Sequence, residues 1–192
     1  MKRTVRSALI LAVAVAGVLS MVEGVRIYAK AVLAQILLQN AWSDTQKGNP
    51  RARPWPWADT WPVARLSSAE HGQDMIVLAG ATGRTLAFGP AHLLSSAQPG
   101  ETGNTVLIGH RDQHFSFLEH LAPGDVLRLE APDGARYRYL VSETAVVHET
   151  ETAVMASGGE KMLTLITCYP FNAIVPGGPL RYVVKALPDS TG

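Results

Sequence analysis

From Trp61 onward the chain breaks into short apolar runs separated by turn signals, and this punctuation limits the fold more than any other feature. Residues 63–66, 75–78, 105–108, 126–129, 137–147, 162–167 and 180–186 are strand-like, and turn-forming residues separate them. Asp133-Gly134 predicts a two-residue hairpin turn between residues 126–130 and 136–141. Pro123-Gly124-Asp125 marks another turn. Residues 86–94 and 115–121 are short enough to be single helical turns. Many short strands with few helices describe an all-β domain, either a closed barrel or a sandwich. No internal repeat or low-complexity segment interrupts the pattern.

Hydrophobic residues make up 47% of the 192-residue chain and charged residues 17%, enough for a real core and too apolar for global disorder. The formal net charge is +1, which gives no electrostatic case for a nucleic-acid partner. The N-terminus is set apart. Lys2, Arg3 and Arg6 precede residues 7–22, which carry no charge. Cations followed by an apolar stretch describe a signal peptide or a signal anchor, and the stretch is slightly short of the ~20 residues of a full span. An uncleaved anchor over residues 1–24 is the favoured expectation. Because the cations stay inside, the rest of the chain is expected on the extracytoplasmic face of a cell (inner) membrane, as a single-pass protein touching lipid through this helix.

Residues 25–42 continue with helical spacing of Ile27, Val32, Leu33, Ile36, Leu37 and Leu38, either as a stalk or a helix packed on the domain, or as an interfacial helix at the membrane surface. Residues 43–60 are polar and Pro-rich and are expected to link into a globular domain over 61–192. All four tryptophans, Trp42, Trp55, Trp57 and Trp61, cluster here. They suit the lipid headgroup level or the side of the domain, with packing on the domain preferred.

One cysteine, Cys168, ends the apolar run Thr164-Leu165-Ile166-Thr167-Cys168, so no internal disulfide can form. Outside the cytoplasm a lone thiol is a liability unless it is used. A buried strand would hold it rigidly, as a nucleophile requires, although a small buried hydrophobe is the commoner fate of such a residue. The thiol needs a base or a cation to become a thiolate. His110 is the best candidate, because it too ends a strand-like run, after Gly109. Arg181 enters the last run from Gly177-Gly178-Pro179, and its planar fork suits a substrate carbonyl and the oxyanion formed on it. Taken singly, His110 and Arg181 are as well explained as a structural histidine and a solvated arginine.

His110 after a glycine, Thr-Leu-Ile-Thr-Cys at 164–168 and an arginine downstream resemble the sortases, the membrane-anchored cysteine transpeptidases. Gly109-His110-Arg111, Phe117-Leu118 with Leu121, and Gly124-Asp125 extend the resemblance over roughly residues 60–187. The Trp- and Pro-rich entry segment and Thr-Cys-Tyr-Pro-Phe look most like the proteobacterial class GN sortases. The resemblance implies a closed eight-stranded β-barrel with short helices and an active site at its rim. It implies that Cys168 attacks a Thr–Gly bond in a C-terminal LPxTG-like sorting signal of a target protein. The acyl-thioester then passes to an amine acceptor. His110 would protonate the leaving amine and deprotonate the incoming one, Arg181 would stabilise the oxyanion with support from Thr167, and Asp112 would orient or tune His110. Pairing of Asp112 with Arg111 or solvent is the equally simple alternative.

No cofactor and no metal are expected. His110 and His114 lie four apart, which joins two imidazoles only on a helix, and no His-Glu-x-x-His occurs. Glu143, Glu149, Glu151 and Glu160 are the candidates for a calcium site, with a solvated loop the better explanation. Residues 148–161 are expected to form a mobile loop beside the substrate groove. His71 and His92 are expected in surface loops or turns. Papain-like enzymes place cysteine before histidine, the reverse of this order. The non-enzymatic alternative is a membrane-tethered β-domain that binds an extended peptide without cutting it.

Overall fold

The computed structural model describes residues 2–175 and 177–189, with side chains from Val5 onward. Of the three cations expected ahead of the apolar run, Lys2 and Arg3 have side chains outside the described residues. A single helix, α1 (Lys2–Gln46), opens the chain. The chain divides into two compact units between Leu37 and Leu38. The first is helix only. It presents Leu9, Ile10, Leu11, Val13, Val18 and Leu19 at 60% exposure or more. An 18-residue window of this helix reaches a mean hydropathy of 2.3, so it is long and apolar enough to cross a membrane.

The second unit is a closed barrel with strand order β1-β2-β3-β4-β7-β8-β6-β5. The strands are β1 (Pro62–Ser68), β2 (Gln73–Ala79), β3 (Ala91–His92), β4 (Asn104–Ile108), β5 (Val126–Glu130), β6 (Arg136–His148), β7 (Met162–Tyr169) and β8 (Leu180–Pro188). All seven expected runs are strands. The eighth, β3, is two residues long and lies within the stretch expected to be a helical turn. A helical turn does form nearby, but earlier: α2 (Gly83–Leu86) shares only Leu86 with that stretch, and it is capped by the Thr82 hydroxyl accepting from the Thr85 N–H at 3.2 Å. Residues Ser116–His120 form the other expected turn, as a 3-10 helix.

Pairing is antiparallel except at β2–β3 and β4–β7, which are parallel. The β5–β6 hairpin forms as expected, but its loop is wider than two residues. The Ala131 N–H bonds to the Ala135 carbonyl, and Pro132, Asp133 and Gly134 lie inside that bond, with Gly134 at φ 82°. At the other expected turn Gly124 takes φ 101°, which a residue with a Cβ rarely adopts.

Alternation sorts side chains between two apolar clusters. Leu107 of β4, Leu163 and Leu165 of β7, and Val184 and Ala186 of β8 join Leu66, Leu127, Leu129 and Phe115 in the main core. Their neighbours Val106, Ile166 and Val183 form a separate cluster on the opposite face, covered by Val154 and Met155. A third cluster joins Leu38 and Trp42 from the end of α1 to Ile76 and Leu78 of β2, with Phe88 against them.

The segment after α1 lies against the barrel. Ala52, Ala58 and Thr60 are buried, and the Thr60 hydroxyl donates to the Ala79 carbonyl at 2.8 Å. Trp42 is buried and Trp55 meets Phe88 edge-on at 4.8 Å. Arg51 sits 5.0 Å from the centre of the Trp61 ring, while Trp57 is 81% exposed. His92 corrects the surface expectation: it lies on β3 and is fully buried. Its Nε2 lies 2.9 Å from the Ala97 carbonyl, and its Nδ1 is buried without a partner. A two-residue strand of alanine and histidine has no propensity or periodicity to betray it, and the expectation at this histidine failed for that reason.

Candidate active site

The two parallel strands β4 and β7 place their C-terminal ends side by side. Ile108 pairs with Ile166, and the Gly109 N–H continues the ladder to the Ile166 carbonyl at 3.1 Å. His110 therefore follows the end of β4 next to the place where β7 delivers Cys168. The close approach requires glycine at 109, because a Cβ there would sit 2.6 Å from Cγ of Phe115. Thr167 is buried, and its hydroxyl donates to the Gly109 carbonyl at 2.7 Å. That bond fastens the residue before the thiol to the residue before the imidazole.

Strand β8 supplies the third group. Cys168 is the direct antiparallel partner of Arg181. The guanidinium is held from three sides. Nη1 donates to the Gly178 carbonyl at 2.7 Å and the Leu180 carbonyl at 2.9 Å, and Nη2 donates to Glu149 Oε2 at 2.5 Å. Glu149 is itself fixed, since its N–H bonds to the Pro179 carbonyl at 2.8 Å. Sequence reasoning considered Glu149 only as a calcium candidate. Its contact with Arg181 across 32 residues has no local signature. Of the other calcium candidates, Glu143 pairs with Lys185 and Glu151 accepts from the His148 N–H.

His110, Cys168, Arg181 and Thr167 line one cavity of about 310 Å³. Ile108, Ile166 and Val183 form its floor, so the cleft lies on the outward face of the β4–β7–β8 sheet near its end, not inside the barrel. Its flank is the segment after β6, through His148, Glu149, Glu151, Val154 and Met155. This is the segment expected to border a groove, and a 3-10 turn at Thr152–Met155 runs through it. Cys168 and His110 are both half-buried, so a reacting group can reach them. Seven apolar side chains and seven polar or ionisable ones line this cleft, so an apolar floor lies beside a thiol, an imidazole and a guanidinium.

Asp112 lies outside this cavity. It borders a second cleft of about 200 Å³, together with His110, Arg111, Gln113, Cys168 and Gly177. Among the described residues Asp112 is exposed and forms no ion pair with Arg111 or His110. Arg111, considered in sequence as part of a motif and as a partner for Asp112, is buried. His114 is partly buried with a sealed, unpartnered Nδ1, and burial together with nearby His110 lowers its pKa below the ordinary histidine value. Among the described residues a group of potential metal ligands occurs only at Glu70, His71 and Asp125, which lie on the β1–β2 turn and before β5 and include neither His110 nor His114.

Residues 69–189 match the family model of the sortase domain. Sortase D of Bacillus subtilis (strain 168) is 35% identical over 112 residues, covering 58% of this chain. The match covers 56% of that relative's length. Sortase A from Corynebacterium diphtheriae superposes with a TM-score of 0.63 at 26% identity, covering 71% of this chain and 64% of that one. The catalytic domain of B. anthracis SrtD superposes with a TM-score of 0.58 at 34% identity, covering 67% of this chain and 88% of that one. A strand-end cysteine opposite an arginine, a histidine at the end of the adjoining parallel strand, and a family model that spans the barrel lead to one conclusion: this chain belongs to the sortase family.

Proposed function

We propose that this protein is a membrane-anchored cysteine transpeptidase that cleaves a C-terminal LPxTG-like sorting signal and joins the target protein to an amine. The observation that carries the proposal is the shared cavity of thiol, imidazole and guanidinium, with Cys168 directly opposite Arg181. The thiolate adds to the carbonyl of the Thr–Gly bond. The oxyanion forms beside Arg181, whose cation stabilises it. His110, as imidazolium, gives its proton to the departing amine, and the acyl-thioester remains. The acceptor amine then attacks, and His110 takes its proton. Thr167 acts as a positioning residue through Gly109. Asp112 reaches the reaction from the second cleft, where it adds negative charge on the imidazole's side.

Residues 1–24 act as a single-pass anchor in the inner membrane, supported by the exposed apolar helix. Residues 25–60 connect it as an amphipathic helix and Pro/Trp-rich segment to the catalytic domain over 61–192, on the periplasmic side. The Trp- and Pro-rich entry and Thr-Cys-Tyr-Pro-Phe favour the class GN subgroup.

The test mixes the detergent-solubilised protein with an LPxTG peptide and looks by mass spectrometry for an acyl adduct on the single thiol. An adduct on the wild type that is lost in Cys168→Ala is the expected result. Binding of the peptide with no adduct would instead make the domain a peptide receptor.

A further inference from the structure

Cations crowd the end of the barrel remote from Cys168. Arg136, Arg138 and Lys161 line a cleft of about 230 Å³ whose one carboxylate is Asp189. Arg136 opens β6, Lys161 directly precedes β7 and Asp189 directly follows β8. Cys168 stands near the other end of β7, roughly 20 Å from Lys161 at about 3.3 Å per residue, and no group of the catalytic cleft lines this one. Arg136 pairs with Glu130 through Nε at 3.4 Å, and Arg138 with Asp189 through Nε at 3.1 Å. Among the described residues neither guanidinium makes an aligned hydrogen bond to a protein acceptor, so N–H donors remain unused on both. Glu130 is also shared, since it accepts from Gln46, the last residue of α1, at 2.8 Å. Lys161 has no ion pair among the described residues and lies 5.5 Å from the centre of the Tyr137 ring. Arg128 of β5, likewise without an ion pair among them, is exposed directly opposite Arg138. Like charges facing each other across a ladder are unfavourable. The cations are open to a ligand: the Arg136 side chain is 77% exposed and the Arg138 side chain 47%.

We propose that this cleft is a phosphate-binding site, separate from the catalytic cleft, whose ligand is a phosphate group either free or carried by a lipid headgroup. Its oxygens accept from Lys161 Nζ and from the terminal nitrogens of Arg136 and Arg138, in the paired-bond geometry that suits guanidinium and phosphate. A free phosphate brings about −1.5 to −2 charge at neutral pH, and a headgroup diester brings a single negative charge. Either lowers the repulsion between Arg138 and Arg128 and supplies the acceptors that Glu130 and Asp189 do not. A carboxylate has only two oxygens for three cations and fits less well. The site is independent of the transpeptidase reading, because neither the thiol, the imidazole nor Arg181 lines it.

Full-length protein in dodecyl maltoside at pH 7 is melted with sodium phosphate, with phosphatidylglycerol added to the micelles, or with sodium chloride at matched ionic strength. The expected result is a Tm raised by about 2–4 °C over the chloride control by phosphate, by phosphatidylglycerol or by both. Combined Arg136→Gln and Lys161→Gln abolishes the rise, and Lys161→Gln alone at least halves it. The source of the phosphate is the ligand whose effect the substitutions remove. A wild-type Tm no higher with either ligand than with chloride would overturn the site. So would a rise that survives unchanged in the double variant. Should the double variant fail to fold, Lys161→Gln decides, because that side chain is exposed and has no ion pair to lose, and an undiminished rise there would overturn the site as well.

Discussion

Arg181 is fastened by two carbonyls and a carboxylate before any substrate arrives, so the cation of this site is already oriented. If Arg181 faces the oxyanion as proposed, Arg181→Ala removes that charge, and kcat/KM for an LPxTG peptide is expected to fall by about 100-fold to 1,000-fold, the usual cost of losing one such donor. Steady-state kinetics checks this, and a value within threefold of wild type would leave Arg181 a structural residue. Thr167→Val keeps the shape and deletes the bond to Gly109. The carbonyl left without that donor is expected to cost about 1–3 kcal/mol of stability, read from urea denaturation, with kcat falling while peptide KM is little changed. At this scale the sequence brought forward the side chains that share the cleft but not their partners. Cys168, His110 and Arg181 stand at recognisable strand ends. The bond from Arg181 to Glu149 and the burial of Arg111 depend on chain segments that only tertiary structure brings together.

Among the elements, the shortest was the hardest to foresee. Seven strands announced themselves by length and apolar content, whereas β3 is held in place by its neighbours: parallel to β2 and antiparallel to β4. Its His92 has a pKa lowered from the ordinary 6.5, chiefly by burial. The unfolded chain therefore binds a proton at this residue before the folded chain does. The stability of neutral His92 is present in full above pH 6.5 and is lost as pH falls below it. His114 shifts in the same direction. The melting temperature is thus expected to drop between pH 7.5 and 5.5, above the range where the lowered carboxyl groups of Asp74 and Asp125 contribute. His92→Gln should reduce that slope without abolishing it, and an unchanged slope by calorimetry would refute the assignment. The end of β4 makes a second prediction. Gly109→Ala drives a methyl group into the Phe115 ring and is expected to cost about 1–3 kcal/mol, with His110 displaced and turnover reduced.

For the molecule as a whole, the end of α1 belongs to the barrel's own packing. Leu38 and Trp42 are buried against β2, so the folded catalytic unit begins before the first strand. Trp42→Ala is expected to cost about 3–5 kcal/mol by denaturant titration, a core-sized loss in a residue that the sequence left between membrane and domain. A fragment starting at Leu38 should remain soluble and take up the peptide's acyl group on Cys168, whereas one starting at Trp61 should unfold more readily. The full chain should sediment with membranes and resist carbonate extraction.

Strand β8 has a consequence for the order in which the enzyme comes into being. It lies between β6 and β7, and no ladder closes the circle until it is in place. Synthesis from the N-terminus delivers this strand after all the other described ones, and with it the guanidinium. Until then the thiol has no charged neighbour across the ladder and the groove has no third wall. The cleft that holds Cys168, His110 and Arg181 is therefore complete only when the last described strand has joined the sheet.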